Sequence, residues 1–339
     1  MNDSVDQLNL NRLQPYLAER IRGFGTIEEC RKFSGGQSNP AFLLTTGGGR
    51  YVLRRKPPGE LLKSAHAVDR EYRVMKALGD TPVPVPRMRL LCEDEDVIGS
   101  MFYVMEFVEG RIHWNAALPE CSPGERSAIY HNMVGVLAAI HNVDVEAVGL
   151  GDFGKPGNYF TRQLNRWSKQ YYASETEKNP AMDALIQWLE ANMPEDDGRV
   201  SLIHGDYRID NLIIHPETPD ILAVLDWELS TLGHPWGDIA YQCMQLRLPP
   251  DAAIPGLGEL DRRELGIPAE DEYVAAYCRL TGIYEIPNWN FYIVFNYFRL
   301  AAILQGIRKR ALDGNASSER AFEYGNMARP LSETAVQLI

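Results

Sequence analysis

The chain changes its repeat near Gly110, and that change limits the folds open to it. Before Gly110, residues 27–33, 41–46 and 50–55 are short alternating runs separated by Ser34-Gly35-Gly36 and Gly47-Gly48-Gly49. Side chains alternate faces along a strand, and glycine supplies turn conformations between neighbouring strands, so these runs predict an antiparallel meander. Val68, Tyr72, Met75 and Leu78 have helical spacing within 65–78, and Pro82, Pro84 and Pro86 halt any continuation. Two more strands are expected near 88–92 and 101–107, and a docking helix over 5–22 ends at Gly23. Beyond Gly110 the pattern is helical. Helices are predicted over 123–141, 158–174, 181–192, 236–247, 269–281, 288–311 and 317–337. Three short buried strands are predicted among them at 200–203, 212–214 and 221–225. The expected class is α+β with two lobes, residues 1–109 and 110–339, a division suited to 339 residues.

Charge narrows the function. With 46 acidic against 34 basic residues the net charge is −12, which argues against a nonspecific nucleic-acid binder. The most apolar stretch, 291–304, contains Asn296 and Arg299 and reads as a buried helix, too short and too polar to span a bilayer. Five scattered cysteines, Cys30, Cys92, Cys121, Cys243 and Cys278, form no CxxC pair and fit reduced thiols. The polar start MNDSVDQLNL is not expected to act as a secretory signal. A cytoplasmic protein of enzyme size is expected, with no nucleic acid or membrane as partner.

The chemistry is concentrated in LIHGDYRIDNLIIHP and the following ILAVLDWELSTLGHPWGDIAY. Asp206, Asn211 and Asp226 are presented on loops that follow predicted strands. Asn211 and Asp226 offer oxygen donors to a hard divalent cation such as Mg2+. Asp206 can accept the proton of an attacking hydroxyl. Base, metal ligands and an oriented nucleophile are what phosphoryl transfer needs. Any one of these residues alone is as easily a helix cap or turn closer; the joint pattern is what points to a kinase.

His204-Gly205-Asp206 through Asn211 resembles the catalytic loop of the aminoglycoside phosphotransferase and choline kinase group, a branch of the protein-kinase-like fold. Leu225-Asp226-Trp227-Glu228 resembles that group's metal-binding motif, and Gly237-Asp238-Ile239-Ala240 the motif whose aspartate braces the loop. The similarity runs in order over residues 27–310, and the wording also resembles the kinase-like domain fused to some acyl-CoA dehydrogenases. The resemblance implies a bilobal protein-kinase-like fold, Asp206 as base, and Asn211 and Asp226 as metal ligands. His204 and Asp238 are read as structural, and Glu228 as a candidate for a second metal or an exposed acid. The resemblance implies ATP as phosphoryl donor, with GTP left open.

On the nucleotide side, 33–39 lies between two predicted strands, and Ser38 and Asn39 with the glycine amides could cradle phosphates. No Walker A sequence occurs. Kinases pair a strand lysine with a helix glutamate. Glu71 is the natural glutamate, and strand alternation puts Val52, Arg54 and Lys56 on one face. Arg54 takes the lysine position, since arginine grips phosphate bidentately and keeps its charge; Lys56, before Pro57, is expected past the strand. Residues 105–110 fall where a kinase hinge would be, so the backbone around Glu106 and Val108 is expected to read the adenine edge.

The acceptor is the least legible part. Arg162, Arg166 and Lys169, together with Arg308, Lys309 and Arg310, allow an anionic acceptor such as a hydroxy acid or hydroxyacyl-CoA, although both clusters read equally as solvated helix faces. A catalytically silent nucleotide-binding module and an antibiotic (aminoglycoside) kinase are the alternatives. A protein-serine kinase is disfavoured by HGD in place of HRD and by the short span from Asp226 to Asp238.

Overall fold

The alternating runs form a five-stranded antiparallel sheet in the computed structural model, which describes residues 8–33, 39–57, 67–314 and 320–339. Elements in chain order are α1 (Leu10–Arg20), β1 (Ile27–Lys32), β2 (Ala41–Thr46), β3 (Gly49–Arg55), α2 (Val68–Leu78), β4 (Met88–Cys92) and β5 (Phe102–Glu106). The second half adds α3 (Pro123–His141), α4 (Tyr159–Ser174), α5 (Pro180–Ala191), β6 (Ser201–Ile203), β7 (Leu212–Ile214), β8 (Ile221–Val224), β9 (Thr231–Gly233) and α6 (Trp236–Leu246). It closes with α7 (Arg262–Leu265), α8 (Glu270–Thr281), α9 (Trp289–Leu312), α10 (Ala321–Asn326) and α11 (Ala328–Val336). The class is α+β, with an antiparallel sheet in the N-terminal part and helices dominating the rest.

Contacts divide the chain into two compact units. The first comprises residues 1–111, 213–216 and 222–230; its sheet has the order β1-β2-β3-β5-β4. Period-two alternation builds its two faces. Phe42, Leu44, Tyr51, Leu53, Phe102 and Val104 join Leu13 and Leu17 of α1 in one core cluster. On the opposite parity, Val52 pairs with Met105 and Arg54 with Tyr103 across β3 and β5. Helix α2 buries Val68, Glu71, Val74, Met75 and Leu78. Four of these are apolar and Glu71 is the exception, so its carboxylate needs partners inside the unit. A ribbon of β7 and β8 adds to this unit. Val224 donates its N–H to the Pro84 carbonyl at 2.9 Å, and Arg111 donates to Ile214 at 2.7 Å. Gly110 permits the second contact: a Cβ there would lie 2.4 Å from Ile213 Cγ2 and 2.5 Å from the Ile214 carbonyl oxygen.

The second unit comprises residues 112–212, 217–221 and 231–339. Helix α3 starts where Ser122 accepts the Glu125 N–H ahead of Pro123, a side-chain cap followed by proline in the first turn. The apolar stretch 291–304 lies within α9, whose buried face runs from Phe291 to Gly306. Among the described residues no helix is long and apolar enough to cross a membrane. The helix predicted over 317–337 is instead two, α10 and α11; 317–319 lie outside the described residues. Pro330 has no N–H to give to the carbonyl four residues back, so the second helix starts afresh with the proline in its first turn. The short β9 and α7 carry too few residues to show a period and were not foreseen.

Candidate active site

Within the first unit, Arg54 of β3 reaches three carboxylates. Its Nε lies 3.2 Å from Glu71 Oε2, and its Nη2 lies 2.5 Å from Asp226 Oδ1 and 4.0 Å from Glu228 Oε2. The strand parity that separates Arg54 from Leu53 puts it beside Tyr103, its register partner, and both face Glu71. Tyr103 donates its hydroxyl to Glu71 Oε2 at 3.0 Å, and Asn39 donates Nδ2 to Oε1 at 2.7 Å. Glu71 is fully buried. Burial pushes its pKa up to about 7, with Asp226 and Glu228 adding to the rise, against the pull of Arg54 and the Tyr103 hydroxyl. Burial works against the Arg54 charge too, yet the carboxylates and Tyr103 raise its pKa above the ordinary arginine value. Asp226 follows β8 in the left-handed region at φ 64°, ψ 55°, an uncommon conformation for a residue with a Cβ.

Residues 34–38 of the expected phosphate cradle, Ser38 among them, lie outside the described residues. Asn39 is 1 % exposed, with its amide nitrogen turned inward to Glu71. That amide nitrogen holds the glutamate. Lys56 follows β3, as its place before Pro57 implies, and donates its backbone N–H to Met101. At the expected hinge, Glu106 ends β5 opposite Tyr51 and its carboxylate accepts from Arg89. Val108 is half-buried just beyond.

In the second unit, β6 leads into the loop 204–211, whose backbone is gripped from α6. Asp238, in the first turn of α6, accepts the His204 N–H at 2.5 Å on Oδ2 and the Gly205 N–H at 2.9 Å on Oδ1. His141 Nε2 lies 3.5 Å from the same carboxylate, and its Nδ1 is 2.6 Å from the Tyr277 hydroxyl. Asp238 is buried, and burial raises its pKa; the bond to His141, the electrostatic pull of His141 and His204 and the loop amide outweigh that and hold it below the ordinary aspartate value. Gly205 has φ 86°, open to glycine at little cost. His204 is buried and its Nδ1 accepts the Asp206 N–H at 3.2 Å, the structural part read for it.

Asp206 and Asn211 come together in this loop. Asn211 donates Nδ2 to the Asp206 carbonyl at 2.9 Å and approaches Asp206 Oδ2 at 3.4 Å, which leaves Asn211 Oδ1 as its oxygen donor for a cation. Tyr241 donates its hydroxyl to Asp206 Oδ1 at 2.6 Å. Arg299 donates Nη2 to the Gly205 carbonyl at 2.9 Å, and Arg208 pairs with Asp210 through Nε at 2.6 Å and through Nη2. Among the described residues no three His, Cys, Asp or Glu side chains gather into a metal cage. The candidate donors of Asn211 and Asp226 are hard oxygens, the type magnesium takes when phosphates and water complete its shell.

The basic clusters are drawn largely into local contacts. Arg162 donates to the Pro156 and Lys155 carbonyls, and Arg166 lies over the Trp167 ring at 5.1 Å. Arg308 pairs with Glu177 at 3.3 Å and Lys309 with Asp313 at 2.5 Å. Tyr159, Phe160, Trp167 and Tyr171 are buried core, while Tyr172 is exposed. Sequence reasoning missed Tyr103, Tyr241, His141 and Arg299. Only Arg299 carried a signal, as a charge inside an apolar helix.

The phosphotransferase enzyme family model (APH) matches residues 29–286. Acyl-CoA dehydrogenase family member 10 of Mus musculus is 49% identical over 308 residues, covering 91% of this chain and 29% of that protein. The chain spans less than half the length of the curated relatives it matches. A crystal structure from Ralstonia eutropha JMP134, described as a candidate aminoglycoside phosphotransferase, is 50% identical with a TM-score of 0.90 and 98% of each chain covered. A thermostable mutant of aminoglycoside phosphotransferase APH(4)-Ia, in ternary complex with AMP-PNP and hygromycin B, shares the fold at 17% identity. Its TM-score is 0.62, with 96% of this chain and 98% of that one covered. The chain belongs to the phosphotransferase enzyme family and has its protein-kinase-like fold.

Proposed function

We propose that this member of the family is a small-molecule kinase that transfers the γ-phosphoryl group of Mg-ATP to a hydroxyl. The acceptor class proposed is a hydroxy acid or hydroxyacyl-CoA. The observation that carries the reading is the loop 204–211, clamped by Asp238 at two backbone amides, with Asn211 tied to Asp206. A base must keep its position while the nucleophile approaches, and a loop fixed by a buried carboxylate supplies that. Asp206 is the proposed base, and Asn211 and Asp226 the proposed magnesium ligands. Arg54, held by Glu71, is the proposed phosphate cation, and Ser38, Asn39 and the backbone at Glu106 and Val108 complete the proposed nucleotide set. When bound, magnesium supplies charge neutralisation on the phosphates.

The acceptor class now rests on the relatives rather than on the basic clusters, since Arg162, Arg308 and Lys309 are engaged locally. Relatives at 42–49% identity carry this domain inside longer polypeptides named for acyl-CoA dehydrogenation. A hydroxylated acyl thioester is the acceptor such a neighbour would share. An aminoglycoside acceptor is the second reading, favoured by the 50% identical structure described with that name.

The test is calorimetric titration of Mg-ATP together with ADP formation across aminoglycosides, choline, homoserine and short hydroxyacyl thioesters. Asp206→Asn is expected to bind Mg-ATP as the wild type does while transfer falls at least about a hundredfold. Asp226→Ala is expected to weaken Mg-ATP binding itself. Full turnover by Asp206→Asn would remove the assigned base. Binding without transfer to any acceptor would favour a silent module.

A further inference from the structure

Tyr241 lies on the second turn of α6, and its hydroxyl is caught between two partners. It donates to Asp206 Oδ1 at 2.6 Å, and it accepts from Gln245 Nε2 at 3.2 Å. Gln245 stands four residues on, so the two side chains share one helix face. A phenol has a single hydrogen. With Gln245 donating to the oxygen, that hydrogen is committed to Asp206. The ring is buried and cannot turn away: the Arg299 guanidinium lies 5.4 Å from its centroid while Arg299 Nη2 holds the Gly205 carbonyl. Burial and the Asp206 charge push the Tyr241 pKa well above the ordinary phenol value, so the group stays a neutral donor. The two oxygens of Asp206 are therefore not equivalent. Oδ1 carries a short bond, whereas Oδ2 has the Asn211 amide at 3.4 Å.

We propose that Tyr241 is a positioning residue that occupies Oδ1 of Asp206 and leaves Oδ2 as the proton-accepting atom, with Gln245 fixing the direction of the hydroxyl. This rests on the reading of Asp206 as base. In the step served, the acceptor oxygen forms a bond to the γ-phosphorus as the bond from that phosphorus to the β,γ-bridging oxygen breaks. ADP leaves with the electron pair, and the hydroxyl proton passes to Oδ2. Tyr241 gives up no proton. Its effect is to hold the carboxylate in one rotamer, so the loss on removing it falls on kcat.

The test compares Tyr241→Phe, Gln245→Leu, the double variant and Asp206→Asn in the full chain. ADP formation from Mg-ATP is followed with water alone and with the acceptor panel, and Mg-ATP affinity is measured by calorimetry. Tyr241→Phe is expected to lower kcat about tenfold, the scale of one hydrogen bond to a charged group, with KM and Mg-ATP affinity unchanged. Gln245→Leu is expected to lower kcat about threefold, and to cost nothing further in the Phe background, because it acts only through the hydroxyl. Wild-type kcat in Tyr241→Phe, alongside an inactive Asp206→Asn, overturns the inference and leaves the base standing. An equal Gln245→Leu loss in both backgrounds overturns the coupling. Loss of Mg-ATP affinity or of melting temperature in proportion to kcat would mark Tyr241 as packing alone. An active Asp206→Asn removes the base, and this inference with it.

Discussion

Asp238→Asn isolates the clamp on the 204–211 loop with almost no change in volume. The carboxylate accepts two backbone N–H groups, from His204 at 2.5 Å and Gly205 at 2.9 Å. An asparagine keeps one oxygen, so one of those amides must face the NH2 group instead. The loss is one hydrogen bond to a charged group, about 1.5–3 kcal/mol, plus a buried donor left without a partner, about 1–3 kcal/mol. A total of about 2.5–6 kcal/mol is a large share of a typical stability of about 5–15 kcal/mol. Two observables follow. The urea transition of the second unit should move to lower denaturant with an unchanged slope, and the amides of His204 and Gly205 should exchange far faster. The pH dependence has a definite sign. The folded pKa of Asp238 is depressed, so its stabilisation is fully present above the unfolded value of about 3.9. It is lost as pH falls through the folded value, and Asp238→Asn should flatten that acid limb. A destabilisation below about 1 kcal/mol with protection of both amides intact would refute the reasoning.

Glu71 has the opposite sign. Its folded pKa is raised to about 7, so the native state binds more protons than the unfolded chain between the ordinary glutamate value and neutrality. Stability should therefore fall as pH rises across that window, and Glu71→Gln should remove the slope in melting curves taken from pH 5 to 8; an unchanged slope would count against it. Gly110→Ala would put a methyl 2.4 Å from Ile213 Cγ2 and 2.5 Å from the Ile214 carbonyl oxygen. The backbone bond from Arg111 to Ile214 should weaken, with about 1–3 kcal/mol lost in urea unfolding. A neutral effect would mean that the β7 strand shifts freely.

What the sequence disclosed and what it hid divide along a physical line. Period-two alternation placed Arg54 on a definite face of β3, and the structure finds it there beside Glu71. Elements of sufficient length declared themselves: 41–46, 88–92 and 123–141 match β2, β4 and α3. The partners that hold the site are different in kind. Tyr103 meets Glu71 only because β5 pairs with β3 in one register, and Tyr241 meets Asp206 across 35 residues. Neither register nor helix docking is written in local spacing. The same limit applies to the bond from Asn39 to Glu71 and to Arg162, which folds back on the Lys155 and Pro156 carbonyls. Asp226 shows the consequence most clearly. It stands 172 residues from Arg54, in a stretch that reads as part of the helical half, yet the first unit holds it. The backbone of Val224 is tied to Pro84, and the Asp226 carboxylate to Arg54. A substitution at Arg54, or at Glu71 that holds it, therefore acts on Asp226 through the charge of Arg54, while the loop of Asp206 and Asn211 answers to α6. The proposed base and the proposed carboxylate ligand are neighbours in sequence, but they are set by different sets of side chains.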